Sequence, residues 1–127
     1  MIRVGVIGCG SIARKRHAAE YSNNPDVEIA GFTDFNTDRA RKMADDFGGR
    51  VYESEDEMLS DGSIDAVSVC VANAYHAAIS IKALNHKKHV LCEKPMALSV
   101  ADAGQMISES LRANKLLFIV NAFAPVP

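Results

Sequence analysis

Glu93, Lys94 and Pro95 follow directly on a short apolar run, residues 89–92. A lysine held at such a place can relay a proton if burial or a nearby cation lowers its pKa, and proline fixes the turn that carries it. Oxidising an alcohol needs a group of this kind for the departing proton, together with a separate hydride acceptor. The bland alternative is a solvated cation paired loosely with Glu93.

A second cluster offers a place for the acceptor. Gly8, Cys9, Gly10, Ser11, Ile12 and Ala13 read G-x-G-x-x-A between a strand pattern and a helix pattern. Gly8 permits a tight turn, Gly10 lets backbone approach a pyrophosphate, and Ala13 lets helix and strand pack closely. The helix N-terminus, with Ser11 and Ile12 beside it, presents N–H groups to the anion. Glycines at a strand–helix turn can also serve the turn alone. Asp34 bears on that choice, because it closes the next apolar run 21 residues past Ala13, near the spacing of about 20 at which an acid meets the adenosine ribose. A carboxylate there accepts two hydroxyl hydrogen bonds and repels a 2′-phosphate, so the expected cofactor is NAD, with NADP less favoured. Phe35 follows Asp34, and the nearest arginine, Arg39, comes a turn later.

These residues need a frame that holds strand ends together. Five nearly continuous apolar runs have strand length: Val4 to Ile7, Ile29 to Thr33, Ala66 to Val71, His89 to Cys92 and Leu116 to Val120. Runs that do not alternate belong to strands covered on both faces. Helical stripes lie between them: Ala40, Met43, Ala44 and Phe47; Ala74, Ala77, Ala78 and Ile81; Ala103, Met106, Ile107 and Leu111. Thr37, Ser54 and Ser99 stand where N-caps belong, and Gly48 with Gly49 can end the second helix. Residues 51–54 add a weak further strand. The alternation predicts an α/β, doubly wound fold with a mostly parallel sheet of about six strands.

Composition agrees with one globular domain. The chain has 127 residues, 48% apolar and 24% charged, with a net charge of −2. That balance argues against disorder and against a field that would draw nucleic acid or an anionic membrane. No apolar run approaches the roughly 20 residues that span a bilayer, and the N-terminal residues lack a leader pattern. Cys9, Cys70 and Cys92 lack C-x-x-C spacing and read as reduced core thiols, which predicts a cytoplasmic location. The basic run Ala13 to His17 reads as a solvated helix face with His17 structural. His86 and His89 lack a third ligand, so no metal site is expected.

The order of these motifs, with residues 71–76 after the strand of Ala66 to Val71, resembles the N-terminal half of the glucose-fructose oxidoreductase and myo-inositol dehydrogenase family (Gfo/Idh/MocA), over essentially the whole chain. The Glu-Lys-Pro triplet at a strand end is its most specific element. The resemblance implies a Rossmann domain in which Lys94 sits near the nicotinamide and relays the substrate proton, Glu93 holds the nicotinamide-side ribose, and Pro95 locks the turn, often through a cis bond. It places Asn73 and His76 beside the cofactor, although Ala72 stands where a proline is usual. Asn121 matches a family asparagine but lacks the arginines that commonly come next.

The same resemblance implies a dinucleotide-binding domain over residues 1–121, the start of a linker at 122–127, and a C-terminal α/β substrate domain that this chain does not contain. The implied partner is a sugar or cyclitol-like small molecule. Exposed strand ends and an exposed last strand would favour a homo-oligomer. The competing reading is a non-catalytic dinucleotide-binding or interaction module.

Overall fold

The computed structural model describes residues 1–120. Asn121 and the linker expected at 122–127 lie outside the described residues. Among the described residues six strands form one all-parallel sheet: β1 (Ile2–Ile7), β2 (Val27–Thr33), β3 (Arg50–Val51), β4 (Ala66–Val69), β5 (His89–Glu93) and β6 (Leu117–Val120). Their order is β3-β2-β1-β4-β5-β6. The chain builds outward from β1 to β3, then returns to the other side of β1 with β4. Ligands of open α/β sheets bind at this reversal, beyond the carboxyl ends of the strands. Ile7 pairs with both Thr33 and Val69 there.

The helices are α1 (Ala19–Ser22), continuous with a π-helical segment Ala13–Ala18 before it, then α2 (Thr37–Phe47), α3 (Glu55–Leu59), α4 (His76–Asn85) and α5 (Val100–Ala113). Two buried clusters cover the sheet. One packs Val67, Val69 and Val90 with Met58, Ile79, Leu84 and Met106; the other packs Val6 and Phe32 with Ala13, Ala18, Ala40 and Met43. Burial on both faces explains the continuous apolar runs of β1, β2, β4 and β5, whereas β6 stays largely uncovered. No helix among the described residues is long and apolar enough to cross a membrane.

Local expectations fare unevenly. Ser54 and Ser99 accept the N–H groups of Glu57 and Asp102 at 3.0 and 3.1 Å, as N-caps do. Thr37 is not a cap; Asn36 is, accepting from Asp38 N at 3.0 Å. Gly48 and Gly49 take φ of 88° and 84° at the end of α2, a region that only glycine enters cheaply. The expected strand at 51–54 shrinks to Arg50–Val51. The buried residues of α4 are His76, Ile79, Ser80, Ala83 and Leu84, in place of the predicted alanine stripe. Along α5 only Met106 is buried, and Ile107 and Leu111 stay exposed.

Candidate functional site

The glycine loop is set by backbone geometry. Gly8 has φ of 95°, and a Cβ on it would lie 2.6 Å from the carbonyl oxygen of Cys70. Only glycine therefore brings β1 this close to the end of β4. Gly8 N donates to Thr33 O at 2.8 Å, joining the loop to β2 as well. Gly10 differs: a Cβ there would meet nothing within 4 Å. Beyond it the helix begins without a side-chain cap, so its first N–H groups are left for an outside acceptor.

Asp34 ties the loop to the turn after β2. Its Oδ1 accepts from Cys9 N at 3.1 Å and its Oδ2 from Asn36 N at 3.0 Å. A carboxylate offers about four lone-pair sites, so acceptor capacity remains after these two bonds. A cleft of about 510 Å³ runs beside it, lined by Ile7, Gly8, Asp34, Val71, Tyr75 and Ile79 among others. Phe35 and Tyr75 meet edge to face across its rim, with ring centroids 6.0 Å apart. On the other side of the loop a hollow of about 350 Å³ is lined by Cys9, Gly10 and Ser11 and by three cations, Arg14, Arg39 and Lys42. Arg14 is partly spent on Asp46, at 2.7 Å.

The cysteines near the loop are thiols. Burial first, and Asp34 second, pushes Cys9 up to about 12. Burial also raises Cys70 and Cys92.

The second half of the site lies at the end of β5. Lys94 is exposed and the Lys94–Pro95 bond is cis. Glu93 is only 6% exposed, and its Oε2 lies 2.6 Å from His17 Nε2. The same imidazole reaches Ser68 Oγ on β4 through Nδ1 at 3.0 Å, and Ser68 also meets the Tyr21 hydroxyl. His76 is 1% exposed, with Nδ1 2.6 Å from Pro95 O and Nε2 2.8 Å from Val71 O. Asn73 opens a 3-10 turn, Asn73–Tyr75, on the surface before α4.

The fold thus gathers Gly8, Gly10, Ser11 and Asp34 around one loop, and Glu93, Lys94, Pro95 and His76 around one turn. His17 is the main residue that reading by motif underestimates: the run Ala13 to His17 is not uniformly solvated. Its signal is the spacing of Ala13, His17, Ala18 and Tyr21, a helical stripe otherwise built from small or aromatic residues. Phe35, Tyr75 and the cations of the hollow were equally visible as residues but not as neighbours.

The arrangement fits a dinucleotide: open space before Gly10, uncapped helix N–H groups, a carboxylate with spare acceptor sites, and a cleft along the strand ends.

Known proteins give the same reading. The chain is 36% identical over 118 residues to a myo-inositol 2-dehydrogenase from Thermotoga maritima, covering 92% of this chain and 35% of that protein. A glucose-6-phosphate 3-dehydrogenase from Bacillus subtilis is 40% identical over 108 residues, 84% of this chain and 29% of its own length. A crystal structure of a 3-ketoreductase from Actinomadura kijaniata, in complex with NADP and TDP-benzene, superposes with a TM-score of 0.89 at 33% identity, over 93% of this chain and 36% of that one. The chain thus spans about a third of the length of the relatives it matches. Residues 2–121 match the oxidoreductase family with an NAD-binding Rossmann fold, Gfo/Idh/MocA, and the chain belongs to that family.

Proposed function

We propose that this chain is the cofactor-binding part of an oxidoreductase that transfers a hydride between a sugar or cyclitol-like hydroxyl and a nicotinamide dinucleotide. Residues 1–121 form that part, 122–127 begin a linker, and a C-terminal substrate domain completes the enzyme. A small polar substrate, neither nucleic acid nor membrane, and a cytoplasmic setting go with this reading.

The observation that carries it is Asp34, suspended between Cys9 N and Asn36 N at the mouth of the cleft. A carboxylate fixed this way presents its remaining lone pairs to a ribose diol with little ordering left to lose. The loop from Gly8 to Ala13 takes the pyrophosphate on backbone N–H groups, and Phe35 and Tyr75 flank the adenine end. Glu93, Pro95 and Asn73 line the nicotinamide side, and His76 lies buried behind them against the Pro95 carbonyl. Lys94 hydrogen-bonds the substrate hydroxyl and relays its proton to solvent. When bound, the nicotinamide accepts or gives the hydride. A non-catalytic binding module would have no use for a fixed proton carrier, which is why Lys94 favours the enzyme.

On cofactor choice, the repulsion between Asp34 and a 2′-phosphate favours NAD. A second reading has its own support: Arg14, Arg39 and Lys42 ring a hollow beside the same loop and could neutralise that phosphate, and the superposed 3-ketoreductase was solved with NADP. Calorimetric titration of the chain with NADH and NADPH decides between them. Tighter NADH binding is expected, and Asp34→Ala should weaken it by about 1–3 kcal/mol, the scale of a hydrogen bond to a charged group. NADPH binding more tightly, and falling in Arg39→Ser with Lys42→Ser, would hand the preference to NADP. Binding of neither would leave the interaction module as the better account.

A further inference from the structure

We infer that His17 and His76 form a two-sided clamp on the Glu93-Lys94-Pro95 turn and are the positioning residues that hold Lys94 against the nicotinamide half of the cofactor. The inference rests on the functional reading above and goes beyond it in naming what fixes the turn. The residues before and after Lys94 are each gripped by a buried imidazole. His17, from the π-helical segment, holds the Glu93 carboxylate at 2.6 Å; His76, from the first turn of α4, meets the Pro95 carbonyl at 2.6 Å.

Each ring is anchored behind as well. His17 Nδ1 lies 3.0 Å from Ser68 Oγ in the sheet, and His76 Nε2 lies 2.8 Å from the Val71 carbonyl at the end of β4. Both nitrogens of both rings are therefore engaged with protein atoms. At 4% and 1% exposure, neither imidazole has a free nitrogen or an open path to a ligand, so each acts through the turn and not by touching cofactor.

The two grips come from different helices, on either side of an exposed lysine. A reacting group must sit within about 0.5 Å of its productive position. A flexible turn carrying a long side chain does not meet that condition without support from behind, as metal-ligating histidines show when a second group orients them. Burying an imidazole against a carboxylate is a poor way to gain stability, since desolvation offsets most of the attraction. Fixing the geometry of the turn accounts for the arrangement better than stability does.

The test is binding of NADH and of ADP-ribose, which lacks the nicotinamide, to the 127-residue chain and to His17→Ala and His76→Ala. The parent should bind both, NADH more tightly. Each Ala variant should lose NADH affinity by about tenfold, the scale of one lost buried hydrogen bond, with ADP-ribose affinity kept. His17→Gln, which can still donate to Glu93, should recover about half of the loss in free energy, leaving NADH binding about threefold weaker than in the parent. Equal losses on both ligands, or no loss on either, would reduce the two histidines to packing and overturn the clamp. If an Ala variant does not fold, the Gln variant at that position is read instead: a loss confined to NADH of about threefold supports the clamp, and any other result overturns it. A parent that binds ADP-ribose but gains nothing from the nicotinamide overturns the clamp and leaves the dinucleotide reading standing. A parent that binds neither ligand sinks both.

Discussion

Gly8 and Gly10 stand two residues apart in one motif and do opposite jobs. Gly8 serves the fold, because its φ of 95° and the Cys70 carbonyl 2.6 Å from a would-be Cβ leave no room for a side chain. Gly10 is not required by packing, because a methyl there meets nothing of the protein, and the proposed role for it is to leave room for the pyrophosphate. Gly8→Ala should therefore lower the melting temperature, by a strain of about 1–3 kcal/mol or more. Gly10→Ala should melt like the parent and yet lose dinucleotide affinity by about tenfold or more, since its methyl would occupy the approach to the pyrophosphate. Thermal melts and NADH titration on the two variants separate these effects. If Gly10→Ala binds as well as the parent, the open space before the loop is not where the pyrophosphate lies. The same distinction explains what the sequence could convey at this scale. The motif spacing named Gly8, Gly10 and Asp34 together, because all three answer to backbone geometry that spacing encodes. It could not reveal that Glu93 faces inward to His17, since that pairing spans 76 residues and depends on which way one helix face turns.

Elements that bury plain apolar residues were legible, and those that bury polar ones were not. All five predicted strands begin and end within two residues of their apolar runs. In α4, by contrast, His76 and Ser80 lie inside, and of the predicted stripe Ala77 and Ile81 only partly reach the core while Ala74 and Ala78 stay exposed. The β3 strand shows a third case, an element too short to signal itself. Tyr52, the residue after it, holds it in place: the Tyr52 hydroxyl donates to Asp61 Oδ2 at 2.6 Å, tying the chain beyond β3 to the loop before β4, while Arg50 stacks over the Tyr52 ring at 4.3 Å. The Tyr52 hydroxyl, with Ser63, holds the Asp61 carboxyl well below the ordinary carboxylate range. Burial first, then Asp61, pushes Tyr52 up to about 12. A depressed carboxyl stabilises the fold above its unfolded value near 3.8 and loses that effect as pH falls toward its folded value. A raised phenol stabilises below its unfolded value of 10 and loses the effect as pH rises through the folded one. Between these limits the bond is at full strength. Tyr52→Phe, which keeps the ring, should cost about 1 kcal/mol at neutral pH, and the gap in melting temperature between parent and variant should narrow on going from pH 7 to pH 3. A gap that does not change with acid would mean that the hydroxyl bond contributes nothing to holding β3.

The two edges of the sheet are unlike. At one end β3 is two residues long and flanked by the Arg50–Glu57 ion pair, a short charged edge of the kind that resists pairing with another chain. At the other end β6 runs Leu117, Phe118, Ile119, Val120 without a charge, and among the described residues it pairs only with β5. Phe118 is 58% exposed there, and Leu111 on the helix just before is 77% exposed. An apolar strand with an unpaired row of N–H and C=O groups is a template for a second strand, and two copies related by a two-fold axis could join their sheets through it. The chain is therefore expected to self-associate through this edge. Sedimentation equilibrium should give an average mass that rises from the monomer toward the dimer with concentration. Phe118→Lys should return the chain to monomer, because a charge on the edge opposes its own copy across the axis, while leaving ADP-ribose binding at the loop after β1, three strands away, unchanged. A parent that stays monomeric at its highest soluble concentration, or a Phe118→Lys variant that associates as before, would remove β6 as the contact.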